Sequence, residues 1–240
     1  MDEVESFLGK SGNAKPLLEA ARPKFVQKVL AIVAIQLLGT IIMSGLVMHS
    51  QKLQLFYARH SGLFIFLSIL AVVIEIVLVC IKTIARKVPI NYILLMSFTF
   101  CESAGVSFIC MQYETKSVIF ALFLTFGIVL SLAIYSFTTK SDFTIMGSAI
   151  CILGWALFGF GILSLFFRNE FMYNLYLVGG IILFSCYLIY DLQLIIGGKR
   201  CELSLDDYIL AAMMLYIDII VLFIKILELF GKKKDKKDEK

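Results

Sequence analysis

Seven stretches of this 240-residue chain approach or exceed the ~20 apolar residues that a helix needs to cross a lipid bilayer. They cover residues 25–48, 63–81, 92–111, 118–137, 145–167, 175–194 and 208–230. Backbone N–H and C=O groups find no water in hydrocarbon, so such segments must close their hydrogen bonds internally as helices. The pattern predicts an all-α integral membrane protein, a bundle of seven transmembrane helices filling residues 25–230. A polar segment (1–24) precedes it and a Lys-rich tail (231–240) follows. Apolar residues make up 60% of the chain and charged residues 17%, against roughly 25% charged in soluble domains.

Most connections are short. Residues 112–117, 138–144 and 168–174 read as turns between antiparallel neighbours, whereas 49–62 and 193–207 are longer loops. Segment 1–24 lacks a short apolar region with a small-residue cleavage site, so the first span is expected to direct insertion. Lys10, Lys15, Arg22, Lys24 and Lys28 flank the first span, and Lys82, Arg86 and Lys87 fill the second connection. The intervening loops carry few cations, which predicts a cytosolic amino terminus. Seven full spans then place the tail outside, yet Lys232, Lys233, Lys234, Lys236, Lys237 and Lys240 crowd it. Either a positive tail lies outside, or one of the last two apolar segments is re-entrant; the charge rule leaves both open. The tail itself reads as a solvated anchor near anionic headgroups, with a retrieval signal or partner site as the alternative.

Several function classes find no support. The basic residues sit at helix ends and tails, not in one aromatic-interleaved patch, so nucleic acid is not an expected partner. No C-x-x-C pair occurs among the six cysteines, and His49 and His60 have no acidic or thiol ligand set nearby. Nucleophile-elbow, zincin and phosphate-loop motifs are absent, and no Gly flanks Asp191 or Asp218 as a peptide-binding aspartyl dyad requires. The expectation is a protein that is not an enzyme and carries no cofactor.

Acids within the spans carry the functional signal. A carboxylate near mid-bilayer is penalised by roughly 2.5–3.5 kcal/mol on insertion scales, and such groups mark ion or proton pathways. Asp191 and Asp218 each stand alone in the last two apolar stretches. If both face the interior, they cannot both ionise cheaply and exchange protons in two coupled steps. That makes them a candidate pH-responsive gate; the bland alternative is that each merely pairs with a neighbouring helix. Glu102 lies deep among the small residues Ser103, Ala104 and Gly105, which predicts an interior-facing position. Glu75 is within two turns of Lys82 and reads equally as a local pair, while Glu228 can reach headgroups.

The carboxyl-terminal third resembles the transmembrane Bax inhibitor motif (lifeguard) family. The resemblance rests on Tyr190-Asp191-Leu192-Gln193-Leu194-Ile195 and on Ser204-Leu205-Asp206-Asp207-Tyr208, followed by Ala211-Ala212 and Leu215-Tyr216-Ile217-Asp218-Ile219-Ile220. Phe98-Thr99-Phe100-Cys101-Glu102 looks like the family's third helix, and the short amino terminus looks like the Golgi anti-apoptotic branch. The resemblance implies a seven-helix fold with the last helix central, in Golgi or endoplasmic reticulum membranes. It implies a calcium leak channel that lowers store calcium and inhibits apoptosis, with Asp191 and Asp218 as a pH-sensing lock and transient calcium site. Lys82 is the nearest match to a basic residue that pairs with this dyad in some members, and Asp206 and Asp207 match the acidic loop pair. Calcium and protons would be the transported partners; apoptosis regulators or calcium-release channels would be protein partners. A non-conducting adaptor and a calcium/proton exchanger remain alternatives. Leu205 stands where the family has Pro, Val221 where it has Asn, and Lys225 adds a charge two turns beyond Asp218.

Overall fold

The computed structural model describes residues 14–167 and 169–234. The first thirteen residues, Arg168 and residues 235–240 lie outside the described residues; the charge-count positions Lys10, Lys236, Lys237 and Lys240 are among them. Each apolar stretch is a helix, and seven helices are long and apolar enough to span a membrane. In chain order they are α1 (Ala14–His49), α3 (Ser61–Cys80), α5 (Ile90–Cys110), α6 (Thr115–Thr138), α7 (Gly147–Phe167), α8 (Glu170–Ile196) and α9 (Tyr208–Phe230). Two short helices fall in stretches read as loops: α2 (Gln51–Arg59) and α4 (Lys82–Arg86). Ser50 starts α2 by accepting a hydrogen bond from Leu53 N, and Tyr57 of α2 stacks on Phe64 at 3.6 Å. A 3₁₀ turn, Phe143–Met146, leads into α7.

Side-chain clasps define two ends of the bundle. At the first end, Arg22 Nη1 donates to Leu203 O at 2.7 Å, and its Nη2 pairs with Glu202 at 2.8 Å. Lys199 Nζ donates to the carbonyls of Thr139, Lys140 and Ser141, which gathers the α6–α7 and α8–α9 connections there. Gly197 ends α8 with φ +73°, a left-handed conformation that costs glycine nothing. At the opposite end the tail docks on the α5–α6 connection. Glu114 N donates to Lys232 O at 2.9 Å, and Lys234 N donates to Gln112 O at 2.9 Å. Because α8 and α9 are both full length, at 27 and 23 residues, a re-entrant last segment does not fit. Tail and Arg22 therefore lie at opposite ends.

Burial is uneven. The span of α9 is 67% buried, that of α5 44%, and that of α7 only 6%. α9 packs against α1, α3, α4, α5, α6 and α8. Its core face carries Ala211, Ala212, Leu215, Tyr216 and Leu222, all buried.

Two seams show how sequence spacing sets this packing. α1 and α5 share a ladder of hydrogen bonds at constant offset: Gln36 Nε2 to Thr99 Oγ1 at 2.7 Å, Thr40 to Ser103 at 2.8 Å, and Ser44 to Ser107 at 3.1 Å. Steps of four residues keep these groups on one face of each helix. Tyr216 of α9 joins the ladder through its hydroxyl, 2.8 Å from Thr40. The second seam seats tyrosines of α8 on glycines of α7. A Cβ at Gly147, Gly154 or Gly161 would lie 2.6–2.8 Å from Tyr190, Tyr187 or Tyr176. Those glycines are what let the rings lie flush.

Candidate functional site

Asp191 and Asp218 meet across the α8–α9 interface. Both are buried, at 4% and 6% exposure, and their carboxyl groups lie within hydrogen-bonding reach of each other. Asp218 is ten residues after Tyr208, about 15 Å of helical rise from the start of α9. Asp191 lies five residues before the end of α8, which runs two residues past the apolar stretch that ends at 194. Asp218 Oδ2 is buried and has no hydrogen-bond donor among the described residues. Leu188, Leu192 and Leu215 are buried apolar neighbours in sequence on the same two helices, while Tyr187 and Tyr190 extend from α8 toward α7. Two carboxyl groups in contact at low dielectric favour sharing a proton over double ionisation.

Such a pair holds no more than four oxygens, whereas calcium takes six to eight. No cluster of three or more His, Cys, Asp or Glu side chains forms among the described residues. The two carboxyl groups can hold a proton between them or offer up to four oxygens to a cation.

The other expected residues are distributed around the bundle. Asp207 precedes α9 and is 5% exposed; Arg86 of α4 grips it through Nε at 2.8 Å and Nη2 at 3.0 Å. Asp206 is half-buried beside it. Lys82 is exposed at the start of α4, and the chain breaks helix at Ile81 between it and Glu75. The local Glu75–Lys82 pairing across one continuous helix is therefore not available. Glu102 is half-buried and lies in the electrostatic field of Glu75 across α3 and α5. Lys225 bonds Tyr176 Oη at 2.9 Å and lies 3.9 Å from Glu228, with its stem against Gly180.

The profile of the family described as "Inhibitor of apoptosis-promoting Bax1" matches residues 22–235, nearly the whole described chain. The chain belongs to the Bax inhibitor family. Among its relatives, human "Protein lifeguard 3" is 34% identical over 214 residues, covering 88% of this chain and 69% of that protein. Mouse "Protein lifeguard 4" is 32% identical over 216 residues, covering 88% of this chain and 87% of that protein.

Within this Bax inhibitor family chain, sequence reading found the acid pair but missed Arg86 as the partner of Asp207. Lys82, just past the second apolar stretch, was the cation that the resemblance matched to the acid pair Asp191 and Asp218, not to Asp207. The helix restarts at Lys82, and one further turn brings Arg86, not Lys82, to the head of α9. The α1–α5 ladder was also missed, although the spacing of Gln36, Thr40 and Ser44 against Thr99, Ser103 and Ser107 carried it.

Proposed function

We propose that this protein is an anti-apoptotic calcium leak channel of intracellular membranes, Golgi or endoplasmic reticulum, gated by protonation of Asp191 and Asp218. The observation that carries the reading is the contact of two buried carboxyl groups between the two most acid-bearing spans, α8 and α9. When the pair holds a proton, the α8–α9 interface stays packed around a neutral hydrogen-bonded unit. When both groups ionise, their repulsion loosens that interface, and a divalent cation is the natural replacement for the lost proton. The orphaned Oδ2 of Asp218 is the oxygen left to accept it. The Arg86–Asp207 pair ties α4 to the start of α9, so movement of α9 has a fixed point at that end. An amino terminus in the cytosol puts this pair on the cytosolic side and the tail on the luminal side.

Membership of the Bax inhibitor family supports the cell-survival role; the acid pair supports the ion role. The test is calcium efflux from liposomes containing only the purified protein, scanned from about pH 5 to 8. Asp191→Asn and Asp218→Asn should abolish the pH dependence. Correctly folded protein that passes no calcium at any pH would overturn the channel reading and favour a non-conducting adaptor. Obligatory counter-movement of protons would favour an exchanger.

A further inference from the structure

Between α1 and α6 lies a groove of about 650 Å³ that the acid pair does not use. Leu37 and Gly45 of α1 form one wall, Leu122 and Phe126 of α6 the other, and Ile220 of α9 the floor. Both α1 and α6 pack on α9. The hydroxyls below the mouth are spent on the protein: Thr40 bonds Ser103 and Tyr216, Ser44 bonds Ser107, and Thr125 donates to Ala121 O, which leaves Thr115 as the hydroxyl at the mouth itself. The surface left for an occupant is hydrocarbon in character.

The dimensions and position select that occupant. From Leu37 to His49 the groove follows α1 for twelve residues, about 18 Å. One leaflet of the hydrocarbon core is about 15 Å deep. The rim residues Ile41, Ile119 and Phe123 are exposed on the membrane-spanning surface, so the groove is continuous with the lipid-facing side of the bundle. Its mouth, at His49 and Thr115, lies at the end where the tail docks. Lys116 is exposed on the first turn of α6, and Lys232 N donates to Ser117 Oγ at 3.0 Å, which brings the exposed Lys233 and Lys234 to the same turn. Glu114, the acid of that turn, is already paired with Lys232 at 3.1 Å. A positive surplus therefore borders the mouth, complementary to a phosphate.

We infer that this groove is a phospholipid site, with one acyl chain of the adjacent leaflet lying between α1 and α6 and the headgroup phosphate at the Lys116 and Lys233 mouth. The deep end of the chain rests near Ile219, the residue that follows Asp218.

Retention of palmitoyl-oleoyl phosphatidylcholine by the full chain in detergent, counted by native mass spectrometry, tests the site. Gly45→Phe fills the groove from a position where an added Cβ meets nothing within 4 Å. Gly39→Phe is the control, equally open but outside the groove. Ile119→Trp blocks the rim from the other wall and serves should Gly45→Phe fail to fold. The expected result is one phospholipid retained per wild-type and Gly39→Phe chain and about tenfold weaker retention in both groove variants. Oleate, a chain without phosphate, should not displace the phospholipid at equal concentration. No retention by the wild type, equal retention in the groove variants, or displacement by oleate would each overturn the assignment.

Discussion

Arg86 holds Asp207 through two parallel N–H···O bonds, at 2.8 and 3.0 Å, across 121 residues of sequence. This fork ties a five-residue helix to the residue that starts the most buried span of the bundle. Bidentate guanidinium–carboxylate pairing cannot be reproduced by an ammonium. Arg86→Lys should therefore lower stability by about 1 kcal/mol, and Arg86→Met, which strands a buried carboxylate, by about 1–3 kcal/mol. Thermal unfolding in detergent reads both. Melting unchanged in Arg86→Met would mean that the pair contributes nothing to holding α9.

The α1–α5 ladder makes a prediction about coupling. Thr40 Oγ1 is bonded to Gln36 O, Ser103 and Tyr216 at once. Interhelical hydrogen bonds in membranes average about 0.6 kcal/mol and reach about 1.7. Thr40→Val should fall toward the upper figure and Ser44→Ala toward the lower. In a double-mutant cycle, Thr40→Val with Ser103→Ala should cost less than the sum of the single changes. Full additivity would show that the two hydroxyls do not interact.

α7 is the least buried span and rests on α8 through the tyrosine seats. Gly154→Leu pushes against Tyr187, whose hydroxyl donates to Ile150 O at 3.2 Å. Overpacking of this kind costs about 1–3 kcal/mol. Gly159→Leu, where an added Cβ meets nothing within 4 Å, is the matched control. Hydrogen exchange along α7 should accelerate in the first variant only.

Asp142 gives a pH dependence at the clasped end. The Thr144 hydroxyl bond, assisted by Arg200 N, Thr144 N and the nearby Lys199 ammonium, holds its carboxyl below the usual carboxylate value of 3.8. The folded value lies below the unfolded one, so this contribution is complete above the ordinary carboxylate range. It fades as pH falls through the lowered value. Protection of the Thr144 and Arg200 amides, taken relative to intrinsic exchange at each pH, should hold from neutral pH down to about 4 and fall only below it. Asp142→Asn should remove that acid transition. An unchanged transition in the variant would assign it elsewhere.

Much of this architecture is written in hydropathy. The seven apolar runs have to be helices because hydrocarbon offers the backbone no other partner, and the helices form where the runs lie. Boundaries were less legible. α1 begins at Ala14, ahead of the predicted 25, because helix continues into water beyond the apolar stretch; α2 formed in a stretch with no long apolar run. Asp191 and Asp218 stood out because an acid among apolar residues breaks composition sharply. That their side chains meet depended on the pairing of α8 with α9, which hydropathy does not encode. Arg86 was hidden for a related reason: its partner is 121 residues away, and the helix break at Ile81 decides which cation reaches it. Glu102 keeps company with Glu75 because small residues such as Gly105, which packs on Ser68, bring α5 close against α3.

The most direct test of the central claim is calcium efflux from proteoliposomes for wild type, Asp191→Asn, Asp218→Asn and the double variant, each across pH. A shared-proton gate predicts a pH-dependent leak in the wild type. It also predicts that either single substitution removes the pH dependence as fully as both together, because two residues acting as one unit are non-additive. A pH-dependent leak that survives in the double variant would contradict the account.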